Sequence, residues 1–269
     1  MSAATSEQAA GLAHDRAGTG EPLVLIHPLG GDRRVWRPVL PLLIEHRDVI
    51  VVDLPGFGGS PALTGEDTRP RALAAALGAF LAELDLDGGR AHLGGNSLGG
   101  WVSLEAALQG NAASVTAIAP AGLWGRPLAP KPEIARTLAR MGRPALNGLV
   151  RSPGGRRVAL LGSVAHPARV PAPDAAALID AYASAPGFTK VNRAMRASTF
   201  QRLAEIEVPV TLVWPAHDRL VPRASGVPAS VREIVLPDAG HIPMWDDPQG
   251  VADALLSGSS HSLRSRIPA

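Results

Sequence analysis

Short apolar runs alternate with helix-length stretches along the first 120 residues. Residues 22–27 (Pro-Leu-Val-Leu-Ile-His) and 48–54 (Asp-Val-Ile-Val-Val-Asp-Leu) are two such runs, and each closes on a Pro/Gly turn. Runs of this length without polar alternation fit strands buried on both faces. Residues 35–45 between them carry apolar positions at roughly helical spacing, and the Ala- and Leu-rich residues 68–84 also predict a helix. Residues 91–95 form a compositionally weaker strand, residues 98–108 a helix and residues 115–119 a further strand.

The alternation then stops. Residues 122–200 show helix-like pieces interrupted by Pro127, Pro130, Pro132, Pro144, Pro153, Pro167, Pro171, Pro173 and Pro186, with no strand pattern. It resumes with strands at residues 208–214 and 231–236 and a helix at 248–256. The Ser-rich residues 257–269 are expected to fray. Strands alternating with helices predict a parallel sheet covered on both faces. Right-handed crossovers would gather the loops after its strands along one edge, where ligands bind in such sheets. The expected organisation is an α/β core from residues 1–121 and 201–269, with a helical segment, 122–200, over that edge.

Chemistry-bearing residues fall at the ends of the predicted strands. Gly95-Asn96-Ser97-Leu98-Gly99 has the form G-x-S-x-G between a strand and a helix, the context in which that pattern presents a nucleophile. Side chains at 95 and 99 would collide with neighbouring elements in so sharp a turn. A serine hydroxyl needs a base, and in this arrangement an acid and then a histidine follow in chain order. Asp218 comes just after the strand ending at Trp214, and His241 just after the strand ending at Leu236. His241 would take the serine proton, and Asp218 would fix its tautomer. His217 adjoins Asp218 and should point away from it. His14, His46, His92 and His166 precede Asp218, and His261 sits in the tail. Asp238 and Asp246 flank His241, but neither directly follows a strand.

An oxyanion needs two backbone donors. The amide of Leu98 follows the serine directly. In the loop His27-Pro28-Leu29-Gly30-Gly31, Pro28 has no amide hydrogen, which leaves Leu29, with His27 as an orienting residue. Asp53 to Ser60 is a glycine-rich turn that lacks a P-loop lysine and a dinucleotide spacing.

Composition narrows the classes. The 269 residues are 46% hydrophobic with a net charge of +2, so a core is available and nothing calls for nucleic acid. Without cysteine there is neither a disulfide nor a thiolate metal site. No metal or cofactor fingerprint is visible. The opening residues lack a basic start and an apolar stretch, and no apolar run is long enough for a membrane span, so a cytoplasmic protein is expected. Charge is unevenly placed: residues 122–200 hold twelve Arg and Lys against three Asp and Glu, whereas the remainder holds fourteen against twenty-one. The basic stretch reads as a solvated surface. Arg126, Arg193 and Arg196 are the candidates should the small-molecule substrate be anionic, and the surface could equally face an acidic partner protein or carrier. Trp36, Trp101, Trp124 and Phe188 could line an apolar pocket or sit in the core.

Taken together, His27 to Gly31, Asp53 to Gly58, the Gly95 to Gly100 turn, Asp218 and Gly240-His241 resemble the capped α/β-hydrolase superfamily over residues 20–257. The resemblance implies an eight-stranded, mostly parallel sheet and a helical cap at residues 122–200. Gly-Asn-Ser-x-Gly-Gly is similar to the elbow of the meta-cleavage product carbon–carbon hydrolases and also of esterases. Pro28 stands where the family more often has glycine. Ser97 stands where epoxide hydrolases and haloalkane dehalogenases carry aspartate. Three functions stay open: hydrolysis of an ester, lactone or similar acyl compound; carbon–carbon cleavage of a vinylogous diketone; and a ligand-binding receptor that keeps the triad with little turnover. Cofactor-free oxidation is a fourth. The substrate and the oligomeric state are not legible.

Overall fold

A computed structural model describes residues 5–130 and 133–260. Its centre is one eight-stranded sheet. β1 (Thr5–Ala9), β2 (Leu12–Gly18), β3 (Pro22–Ile26), β4 (Asp48–Val52), β5 (His92–Asn96), β6 (Ser114–Ile118), β7 (Val210–Pro215) and β8 (Arg232–Leu236) lie in the order β1-β2-β4-β3-β5-β6-β7-β8. β2 runs antiparallel to both β1 and β4, and the other pairs are parallel.

The central strands are buried because both faces are covered: β3 and β4 carry mainly apolar side chains, while β5 (His-Leu-Gly-Gly-Asn) and β6 (Ser-Val-Thr-Ala-Ile) mix in small and polar ones. Successive side chains on a strand point to opposite faces. On one face Val24, Ile26, Ile50 and Val52 pack with Leu73, Leu77 and Phe80 of α2 (Pro70–Glu83) and Trp101 and Val102 of α3 (Leu98–Leu108). On the other, Leu23, Leu25, Val49 and Val51 pack with Leu43 of α1 (Leu40–Leu43) and Val251 and Leu255 of α9 (Pro248–Ser259).

Between β6 and β7 the chain forms α4 (Ile134–Met141), α5 (Arg143–Leu149), α6 (Pro153–Ala159), α7 (Ala172–Ser184) and α8 (Phe188–Arg196). Val150, Leu160, Val164, Val170, Ala175 and Ile179 give this segment a small core of its own. No helix among the described residues is long and apolar enough to cross a membrane.

Two local expectations change, and one hairpin is new. Residues 35–45 are not one helix. They open inside a 3₁₀ turn, Arg33–Trp36, and otherwise contain only the single turn of α1, because Pro38 lacks the N–H that would continue the ladder. The polar residues 5–18 form a hairpin, joined at Ala10-Gly11 where both residues have positive φ, the backbone of a tight two-residue hairpin turn. The last helix runs on to Ser259, with Gly258 and Ser259 buried. The expected fraying of residues 257–269 therefore does not apply to Ser257 to Ser259, and residues 261–269 lie outside the described residues.

Candidate active site

Ser97 stands between β5 and α3 with φ 56° and ψ −112°, a conformation that costs a non-glycine residue of the order of 1–3 kcal/mol. The turn is held from both sides. Its N–H donates to the Ile118 carbonyl at 2.8 Å, and its carbonyl accepts from Trp101 and Ala121 at 3.1 and 3.0 Å. The flanking glycines are required by close approach. A Cβ on Gly99 would overlap the Ile26 carbonyl of β3, and one on Gly95 would overlap the backbone of Gly99.

Asp218 follows β7 and His241 follows β8. Their loops run side by side, since Ala216 N–H donates to the Leu236 carbonyl and His217 N–H to the Ala239 carbonyl, each at 2.9 Å. His241 Nδ1 lies 2.7 Å from Asp218 Oδ2. The other carboxylate oxygen, Oδ1, accepts from the N–H of Leu220 at 2.7 Å and of Val221 at 3.0 Å. Both side chains are nearly enclosed, 8% and 4% exposed. With Asp218 Oδ2 as its neighbour, Nδ1 is the ring nitrogen placed to donate, which leaves Nε2 able to accept a proton.

The other candidates are engaged elsewhere. His217 is exposed, and Asp238 pairs with His166 Nε2 at 2.8 Å, an interaction that holds the Asp238 carboxyl below its usual pKa. Asp246 Oδ2 accepts from the N–H of Gly240 and of Ala165, and Oδ1 from that of His166, each at 2.8 Å. His14 packs edge-on against Phe80, His92 lies 2.9 Å from the Ser114 hydroxyl, and His46 is exposed. His261 lies outside the described residues.

Leu29 and Leu98 sit at the same sheet edge, after β3 and at the start of α3. No acceptor among the described residues is paired with either backbone N–H. His27 shapes the first loop. It accepts at Nε2 from the Leu54 N–H at 2.9 Å and so donates from Nδ1 to the Pro28 carbonyl at 2.8 Å. Gly30 (φ 74°) lies directly beneath Tyr182 and Phe188 of the helical segment. The Asp53 turn anchors the end of this loop. Its fully buried carboxylate accepts from the N–H of Arg33 and Gly59 and pairs with the Arg33 guanidinium.

The proposed pocket residues divide. Phe188 is buried edge-on to Tyr182 beside the Leu29 loop. Trp124 meets Trp101 edge-on and donates to the Ser198 carbonyl. Trp36 is fully enclosed and belongs to the same core cluster as Val39, Leu43 and Leu255. Arg126 is exposed. Arg193 and Arg196 line a cavity of about 340 Å³ with Glu133 and Asn192, and neither Ser97 nor His241 lines it. Arg196 also donates to the Ala129 carbonyl at 2.9 and 2.5 Å.

Two positioning side chains escape a reading of the sequence. Asn96 Nδ2 donates to the Ile118 carbonyl at 3.1 Å and the His241 carbonyl at 3.0 Å. Asp246 is the other, weighed only as a rival acid. No cluster of three His, Asp or Glu among the described residues is placed to hold a metal ion.

Residues 23–254 match the model of the alpha/beta hydrolase family. An epoxide hydrolase of Mycobacterium tuberculosis, EphH, is 35% identical over 182 residues, 62% of this chain and 84% of that protein. The dihydrolipoyllysine-residue acetyltransferase component of the acetoin cleaving system of Pseudomonas putida is 31% identical over 246 residues, 88% of this chain and 63% of that protein. A pimeloyl-[acyl-carrier protein] methyl ester esterase of Legionella pneumophila is 42% identical over 59 residues, 22% of this chain and 25% of that protein. The chain thus spans less than two thirds of the last two. Among solved structures, a thermophilic esterase from Thermogutta terrifontis superposes with a TM-score of 0.68 at 24% identity, covering 97% of this chain and 99% of that one. That likeness is one of fold.

Proposed function

The chain belongs to the alpha/beta hydrolase family, and we propose that it is a serine hydrolase that cleaves a small ester, lactone or similar acyl compound through Ser97, His241 and Asp218. The observation that carries this reading is the 2.7 Å contact between His241 Nδ1 and Asp218 Oδ2, at the sheet edge where Ser97 is held in a left-handed turn.

In this reading His241 Nε2 takes the Ser97 proton as Oγ bonds the acyl carbon, and the carbonyl electron pair moves onto oxygen. The N–H groups of Leu29 and Leu98 hold that oxyanion, and one such donor supports about 10²–10³ in kcat. The intermediate then expels the alcohol, which leaves with the proton from His241, and an acyl-serine remains. Water repeats the sequence: His241 takes its proton, its oxygen bonds the acyl carbon, and the proton returns to Ser97 as the acid departs. Residues 122–200 act as the cap, with Tyr182 and Phe188 bounding the site above Gly30.

Similarity to an epoxide hydrolase does not carry that chemistry over. Serine attack on an epoxide would leave an alkyl ether on Oγ, which has no carbonyl for water to attack. A carboxylate nucleophile would leave a hydrolysable ester, and this chain has Ser97 at that place.

The test is turnover of p-nitrophenyl esters of increasing acyl length, with labelling by a fluorophosphonate. Turnover by the wild type, its loss in Ser97→Ala and a label on Ser97 are expected. An inert, unlabelled wild type would overturn the assignment and bring forward carbon–carbon cleavage or ligand binding without turnover.

A further inference from the structure

Helix α4 is inside out. A helix on a globular protein turns its apolar stripe inward and its charges to water. Here Arg136 points inward. Its guanidinium donates to the carbonyls of Tyr182 at 3.1 Å and Ala185 at 2.6 Å and lies 4.8 Å from the centre of the Phe188 ring. Ile134, Leu138 and Met141, spaced four and three residues apart, are 64%, 63% and 76% exposed. They form one solvent-facing stripe.

The neighbouring helices extend this surface. α4, α5 and α6 all pack on α7, and α5 touches both of the others. They also expose Leu149, Val158 and, just past α6, Leu161. Arg140, Arg151 and Arg157 are exposed beside them. A contiguous apolar surface rimmed by polar residues marks a contact site.

Charge selects the occupant. Residues 122–200 carry a net +9 and the rest of the chain −7. A second copy would bring the same positive, apolar face to this one, and like charges would oppose the pairing. A surface of anionic headgroups over acyl chains complements both features, since basic residues meet the headgroups and apolar side chains enter the acyl boundary. We propose that the outer face of α4–α6 docks the protein on anionic lipid bilayers as a peripheral contact. This proposal stands apart from the assignment of the triad.

The experiment is flotation of the full chain with phosphatidylcholine vesicles, with or without phosphatidylglycerol, at low and high salt. Two variants accompany it: Ile134→Ser/Leu138→Ser/Met141→Ser and Arg140→Gln/Arg151→Gln/Arg157→Gln, each checked for an unchanged melting midpoint. Partition at least about tenfold stronger onto the anionic vesicles, weakened by salt and lost by about tenfold in each folded variant, is expected. Absence of wild-type binding to anionic vesicles would overturn the proposal, as would equal binding by both variants. A concentration-dependent dimer in light scattering that the apolar variant abolishes, without vesicle binding, would assign the face to a second copy instead.

Discussion

The side-chain amide of Asn96 spans from β6 to the loop of His241, donating to the Ile118 carbonyl and, at 3.0 Å, to the His241 carbonyl. The residue before Ser97 therefore sets the distance between the elbow and the proposed base. Asn96→Ala removes the side-chain donor to the His241 carbonyl and one of two donors to the Ile118 carbonyl, which keeps the Ser97 N–H, at a cost of about 1–3 kcal/mol at most. A melting midpoint lower by several degrees is expected, with kcat reduced by about tenfold or more and KM moved less. Unchanged kcat in a folded variant would detach Asn96 from the site.

Asp218→Asn tests the tautomer argument. The amide would still fill the space beside His241, but Oδ2 would give way to an NH₂ or present a neutral oxygen to Nδ1. The imidazole then loses its reason to keep Nδ1 protonated and its partner once it is charged. In the proposed mechanism kcat for a p-nitrophenyl ester should fall by about 10³–10⁴ with little change in KM. A loss under about tenfold would point to another carboxylate.

Much of the fold and part of the candidate site are legible because they are written locally. Double-sided burial leaves unbroken apolar runs, such as Val49 to Val52, and the elbow needs small residues at 95 and 99, which the text of the chain displays. Asp218 follows the fully buried strand β7 closely, and His241 follows the edge strand β8. What escapes is set at a distance or by exception. The β1–β2 hairpin lies at a sheet edge, where polar residues serve as well as apolar ones. Asn96 meets a carbonyl 145 residues away, and Asp246 meets an amide 81 residues away. The inward arginine and outward stripe of α4 have the periodicity of an ordinary surface helix, so the pattern carries no sign of which side faces water.

Asp246 joins the His241 loop to the helical segment. Its carboxylate has no hydrogen to offer, and three backbone N–H groups point at it. Asp246→Asn would set an NH₂ against at least one of these donors, at a cost of about 1–3 kcal/mol. Since Gly240 adjoins His241, lower thermal stability should come with a fall in kcat. Differential scanning calorimetry with steady-state kinetics at a temperature where the variant is folded checks this. Loss of stability with unaltered kcat would confine Asp246 to holding the segment.

His92 should make the fold sensitive to acid without touching the site. It begins β5, whose other end leads to Ser97, and it lies buried with Nδ1 2.9 Å from the Ser114 hydroxyl. Burial holds its pKa below 6.5; Glu21 opposes that shift, and Arg47 adds to it. The unfolded chain therefore takes up the proton first as pH falls. The stability that the neutral imidazole allows is complete above the unfolded pKa of 6.5. It declines as pH drops through that value and levels off below the folded pKa. His92→Gln removes the titration, so its melting midpoint should fall less between about pH 7 and pH 5 than that of the wild type, by the uptake of about one proton. Parallel curves for the two proteins would mean that His92 is protonated as readily in the fold as out of it, and the acid sensitivity would have to come from another group.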